Sequence, residues 1–325
     1  MPALKSFMEA HQVAIYFFAV IAAVTTALVL PETEQLDVVI NPALALMLFV
    51  TFLQVPLTTI GKSLTQVRFI GALIVANFIV IPLLVAVLLP FLPAEPLLKL
   101  GILLVLLAPC IDYVVTFAHL GRAAATRLLA ATPILLMLQM LALPFYLTLF
   151  LGHDAAGLIV FAPFIDAFIW LIALPLALAA LLQWLAPRQL TIATLTEVLG
   201  YLPVPATALV LFIVVAAVIP PLRATWASVL LVVPFYLLFA LLAPLLGWFT
   251  SRMFRLDSAG GRAVAFSAST RNSLVILPLA LAIPGALPLL PAVIVSQTLV
   301  ELLSELIYIR VIPMLNAPIT GQKRQ

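Results

Sequence analysis

Apolar residues run along this chain in stretches of about twenty, separated by short segments that are polar or rich in proline and glycine, and about twenty residues of helix span the hydrocarbon of a bilayer. Ten such stretches can be marked, at about residues 13–30, 42–60, 69–89, 97–120, 128–151, 158–185, 198–219, 227–249, 263–283 and 288–312. The pattern predicts an all-α membrane protein with ten transmembrane helices. Two stretches are interrupted at mid-depth. The fourth reads APCIDYVV over 108–115, with Pro109, Cys110 and Asp112 about 18 Å beyond Leu98 at the helical rise. The ninth reads FSASTRNSLV over 266–275, where Ser267, Ser269, Thr270, Arg271, Asn272 and Ser273 form a polar knot. Proline removes a backbone donor and crowds the preceding turn, so the fourth helix is expected to break, and the knot predicts the same for the ninth. Unwound backbone at this depth survives only against protein or a water-filled cavity, and opposed half-helix ends are a recurring way to build a substrate site at the midplane.

Charge orients the spans. With the N-terminus placed in the cytoplasm, twelve of the fifteen basic residues fall on that side, among them Lys5, Lys62, Arg122, Arg127, Arg188, Arg252, Arg262 and Arg310. Lys99 and Arg223 fall outside, Arg271 lies within a span, and the outer loops hold Glu32, Glu34, Asp37, Glu95 and Asp154. Both termini are therefore expected in the cytoplasm, with the protein multi-pass in the plasma (inner) membrane. The first apolar run lacks a cleavage-site pattern and is expected to be retained as a helix. No loop is long enough for a separate domain, so residues 1–325 read as one transporter domain. Five spans per half, an odd number, make the halves enter from opposite sides, which is the geometry of an inverted repeat over about 1–152 and 153–325.

Composition narrows the function classes. Apolar residues make up 66% and charged residues 8% of the chain, where soluble domains carry about a quarter charged. A soluble receptor, a Rossmann enzyme and a nucleic-acid binder are set aside, since the net charge of +3 is dispersed rather than gathered in a patch. The single cysteine, Cys110, excludes an internal disulfide and a multi-cysteine metal cage. No cofactor is expected.

Ionisable groups within spans mark function or pairing. Asp112 and Arg271 most simply pair with each other, either as a structural staple or as a pair that meets substrate. Because arginine stays charged, Arg271 puts a permanent cation where a coupled sodium ion would otherwise sit. Gln297, Glu301 and Glu305 follow at steps of four and share one helix face. Glu301 lies near the midplane. Desolvation favours the protonated carboxyl, which suits a proton carrier, whereas Glu305 also reads as the partner of an interfacial Arg such as Arg310 or Arg127. Asp166 needs a partner that its neighbours in sequence do not identify. Asn77, Gln54 and Gln139 read as interhelical hydrogen-bonding residues, and His119 as interfacial. A hydrolase pairing Asp112 with Asp166, or Cys110 with His119, lacks any recognised motif, so no enzyme is expected.

Cys110 directly follows the helix-breaking proline, where a substrate cavity is expected, and one thiol can hold a thiophilic centre without trapping it. At these residues the chain resembles the arsenical-resistance (arsenite efflux) permeases within the bile acid:sodium symporter superfamily. The resemblance rests on the Pro109-Cys110 break, on Leu299-Val300-Glu301, on Arg271-Asn272-Ser273 followed by Leu277-Pro278-Leu279-Ala280, and on length and span layout. It implies a panel and a core domain, crossing broken helices four and nine, and efflux of arsenite or antimonite in exchange for protons. The family's essential cysteine carries over to Cys110, a metalloid ligand, and its last-helix glutamate to Glu301. The substrate-binding set expected is Cys110, Asp112, Ser269, Arg271, Asn272 and Glu301, with Glu301 and Glu305 coupling protons. The partner is then a small inorganic metalloid. The alternative is a small organic anion, moved with sodium or protons and held by Arg271 and the half-helix N-termini.

Overall fold

The computed structural model describes residues 2–54, 66–110, 113–155, 169–222, 226–283, 285 and 289–315. Among them there is no β-strand, and the chain is helical nearly throughout. Helix α1 (Pro2–Val29) leads through a 3-10 segment into α2 (Asp37–Gln54). Helices α3 (Val67–Val75) and α4 (Ile81–Leu88) are joined by a π-helical turn, Ala76–Val80, into one rod. Then come α5 (Pro96–Leu106), α6 (Val114–Leu120), α7 (Ala125–Ala155), α8 (Leu174–Leu185) and α9 (Leu190–Leu199). The remainder is α10 (Pro203–Leu222), α11 (Trp226–Leu230), α12 (Val233–Met253), α13 (Ser258–Ser269), α14 (Ser273–Leu281) and α15 (Leu289–Leu315).

Seven helical rods among the described residues are long and apolar enough to cross a membrane, where ten spans, two of them interrupted, are expected. The expected fourth and ninth spans are each two short helices, α5 with α6 and α13 with α14, and of the sixth only the part from residue 169 onward is described. The seventh starts at Pro203 rather than near residue 198, because α9 stops at Gly200, whose N–H returns to the Thr196 carbonyl at 3.0 Å, and proline opens the next helix. Large apolar side chains cover the outside, and a few polar ones are buried among an apolar core. Phe18 and Leu141 are 74% and 77% exposed, while Asn77, Arg271 and Glu305 are fully buried, the distribution a hydrocarbon solvent selects.

Helices α1, α2, α8 and α10 pack on one another, tied by Thr33 Oγ1 donating to the Ala216 carbonyl (2.9 Å) and Gln183 Nε2 to that of Phe52 (3.1 Å). Helix α15 packs on α5, α12 and α14 and also reaches α10. At one end of the bundle Asp257 caps α13 through Gly260 N–H (3.3 Å) and pairs with Arg127 (2.8 Å), which fixes where α13 enters.

Helix α12 meets α13 through Gly247. A β-carbon there would stand 2.7 Å from Ala268 Cβ and 2.9 Å from both Ala265 Cα and the Val264 carbonyl oxygen. These are backbone atoms and a short methyl, which cannot swing aside, so small residues set the helix separation. Gly247→Ala is expected to lower stability by about 1–3 kcal/mol, the range for overpacking, read as a fall in the thermal midpoint of the detergent-solubilised protein.

Candidate functional site

Two interrupted helices meet at the centre. Helix α5 ends at Leu106 and α6 begins at Val114, while α13 ends at Ser269 and α14 begins at Ser273. Between them the extended residues pair as in a miniature antiparallel sheet, with Pro109 opposite Arg271. Cys110 N–H donates to the Thr270 carbonyl (3.1 Å) and Asn272 N–H to that of Ala108 (2.8 Å). This pairing answers the accounting problem posed by unwound backbone in lipid: each break supplies partners for the other's orphaned groups.

Arg271 lies at the confluence of two half-helix C-termini. Its Nη1 donates to the Leu106 carbonyl (3.3 Å), the last residue of α5, and its Nη2 to the carbonyls of Ser267 (2.8 Å) and Ala268 (2.7 Å) near the end of α13. Nη2 also donates to Asn77 Oδ1 at 2.9 Å. The terminal carbonyls of a helix lack intrahelical donors and carry the negative end of its dipole, so a cation here satisfies both needs. The π turn presents Asn77, whose Nδ2 donates in turn to Ser267 Oγ (2.9 Å). Among the described residues the guanidinium makes no ion pair. Asp112, the partner expected for it, lies outside the described residues, as does Asp166.

The anionic counterpart is Glu301 on α15. One carboxylate oxygen accepts from the Tyr113 hydroxyl (2.6 Å), the other from Arg271 N–H (2.7 Å) and Gln297 Nε2 (2.5 Å). The carboxylate thus sits on the N-terminal side of the α14 half-helix and the guanidinium on the C-terminal side of α5 and α13, each at the dipole end of opposite sign. One turn along, Glu305 accepts from Thr270 Oγ1 (2.6 Å), and its other oxygen has no partner among the described residues. Neither interfacial arginine serves Glu305: Arg127 is engaged by Asp257, and Arg310 makes no ion pair among the described residues.

The other expected residues converge on the crossing in different ways. Cys110 is fully buried there. Asn272 donates to Gln139 Oε1 (3.3 Å), while Ser269 turns back onto its own helix, donating to the Ala265 carbonyl (3.0 Å). Sequence reasoning passed over Tyr113, placed Thr270 in the polar knot without a role, and treated Asn77 as one interhelical hydrogen bond, whereas Tyr113 and Thr270 link the crossing to the two glutamates. The signal available was proximity to the breaks.

Beside the crossing lies a polar cavity of about 60 Å³ between α1, α2, α6 and α10. Gln12, Tyr16, Thr51, Tyr113, Thr116 and Thr207 line it, with Glu9 and Gln54 toward its edge. Gln12 Nε2 is buried without a partner among the described residues. No lysine or arginine stands among the described lining residues. A space of this size exceeds the 10–15 Å³ of comparable volume that one water needs.

Compared with curated proteins, the chain has no match. The profile of the Sodium Bile acid symporter family matches residues 41–224, more than half of the chain, from α2 past the end of α10 and including the first broken helix. With its buried polar crossing and membrane-length helices, the chain belongs to the sodium bile acid symporter family and is a multi-pass membrane transporter.

Proposed function

We propose that the protein is a secondary active transporter that exports arsenite or antimonite in exchange for protons across the plasma (inner) membrane, with both termini cytoplasmic and two inverted halves of about 1–152 and 153–325. One observation carries the reading. Arg271 is buried and engaged by main-chain carbonyls, and the cavity beside it offers hydroxyls, amides and a carboxylate with no basic side chain among its described lining. That lining suits a small neutral hydroxylated solute, which arsenite is at cytoplasmic pH. An organic anion entering it would lose hydration and meet no cation in the described lining, where the Lys5 ammonium beside Glu9 is already paired with that carboxylate at 3.9 Å. Glu301 and Glu305 carry protons, Asn272, Ser269, Asp112 and Arg271 organise the crossing, and Cys110 serves as a transient sulfur ligand when the crossing opens.

The test is arsenite accumulation in inside-out vesicles under an imposed proton gradient. Accumulation that a protonophore collapses, and that survives replacement of sodium by choline, is expected. A second reading, uptake of an organic anion with sodium or protons, draws on the family match itself. Sodium-stimulated uptake of a carboxylate, with arsenite ignored, would establish it instead. Within the first reading, Cys110→Ser is expected to lower arsenite export by about tenfold or more, equivalent to about 1.4 kcal/mol of lost ligand affinity, at equal protein level. Undiminished export would remove the sulfur from the mechanism.

A further inference from the structure

The geometry points to Tyr113 as the proton relay between the polar cavity and Glu301, an inference that rests on the proton-coupled reading above. Tyr113 has two faces. It lines the cavity together with Gln12, Thr51, Thr116 and Thr207, and its hydroxyl donates to Glu301 Oε1 at 2.6 Å. The Arg271 carbonyl stands 3.3 Å from the same hydroxyl, a second acceptor within reach of one O–H rotation. Glu301 itself is 3% exposed, and its other oxygen is covered by Arg271 N–H and Gln297. Of the three residues that bond the carboxylate, Tyr113 is the one that also lines the cavity.

The hydroxyl oxygen both donates and accepts, whereas the two nitrogens that bond Glu301, of Arg271 and Gln297, only donate. With the carboxylate ionised, the phenol donates to Oε1. A hydronium in the cavity passes its proton to the phenol oxygen as the phenol proton passes to Oε1, leaving water, a neutral phenol and a neutral carboxylic acid, so charge and atoms balance. The phenol proton then turns to the Arg271 carbonyl, and the phenol oxygen accepts from the new carboxylic O–H. No buried group loses its partner in either state, which keeps the step open in a low-dielectric interior. Other titratable groups around this point are the Arg271 guanidinium at the helix breaks, Cys110 on the facing break, Glu305 and Tyr308 on α15, and Glu9 at the cavity edge. The bonds that hold the Glu301 carboxylate come from the Tyr113 hydroxyl, the Arg271 main-chain N–H and Gln297 Nε2.

The experiment compares Tyr113→Phe with the unaltered protein in two assays: arsenite accumulation driven by a proton gradient, and arsenite–arsenite exchange at equal pH on both sides. The phenylalanine variant is expected to lose gradient-driven transport at least about tenfold more than it loses exchange, since one missing lining hydroxyl weakens solute contact in both assays while the relay is lost only from the first. Equal loss of both would make Tyr113 a structural residue and overturn the relay, as would full gradient-driven transport. Should the phenylalanine variant fail to accumulate in the membrane, Tyr113→His, whose ring both donates and accepts, decides: gradient-driven transport above that of Tyr113→Leu supports the relay, and transport equal to it overturns it. If the unaltered protein moves arsenite with no response to the gradient, the coupling reading fails first, and the exchange assay shows which of the two has failed.

Discussion

Glu301→Gln is expected to fold, to retain arsenite exchange and to lose gradient-driven transport by at least about a hundredfold, a size typical of removing a proton-transfer group. The argument is one of hydrogen-bond capacity. The carboxylate receives three donors: Tyr113 on Oε1, Arg271 N–H and Gln297 on Oε2. In the glutamine variant the amide oxygen takes the place of Oε2 and has two lone pairs for two donors. The amide NH₂ faces Tyr113, whose hydroxyl can accept from it and turn its own proton to the Arg271 carbonyl at 3.3 Å. Every partner stays satisfied, so the variant imitates the protonated site permanently. Loss of exchange along with driven transport would show that Glu301 serves structure alone. Glu301→Leu is a harsher change, because it leaves Arg271 N–H and the Gln297 amide buried without acceptors, at about 1–3 kcal/mol each.

How the sequence announced this site, and where it fell silent, follows from the nature of each partner. The breaks were legible because Pro109 cannot donate and because six polar side chains interrupt an apolar run at 267–273. Glu301 was legible by depth alone. Arg271 was marked as a cation needing compensation, and a carboxylate was the natural candidate. Asp112 lies outside the described residues; among those described, the structure gives the guanidinium carbonyls and the Asn77 amide oxygen, and every residue has a carbonyl, so composition carries no trace of them. Asn77 looked like any interhelical amide, since its role comes from a π turn that no local sequence rule announced. Tyr113 was hidden for a related reason: among many aromatic residues that pack or anchor, only tertiary position distinguishes the one whose hydroxyl meets a buried acid. The long unbroken rods number seven because the fourth and ninth spans are interrupted where the sequence marked them and the sixth is described only from residue 169.

Arg271→Ala is expected to destabilise the protein by about 3–5 kcal/mol, the loss found when one side of a buried charged network is removed. Four acceptors depend on this side chain: the carbonyls of Leu106, Ser267 and Ala268, and Asn77 Oδ1. Three belong to helix C-termini whose dipoles place partial negative charge at the same point, so deleting the cation leaves mutual repulsion as well as missing donors. Arg271→Lys retains charge but has three donors on a point-like ammonium, and is expected to recover only part of the stability because it lacks the fork that reaches both half-helices. A free monovalent cation is a poor substitute for a guanidinium in the intact protein but a fitting one in its absence, since half-helix carbonyl ends are the kind of ligand that holds sodium in transporters. The thermal midpoint of Arg271→Ala is therefore expected to rise by about 3 °C when sodium stands tenfold above its dissociation constant, with choline inert and the unaltered protein indifferent to both. A midpoint for the alanine variant equal to that of the unaltered protein would mean that the two broken helices hold together without the guanidinium, fastened by the Cys110–Thr270 and Asn272–Ala108 backbone pairs and by Glu301, which binds Tyr113 and the main-chain N–H of residue 271.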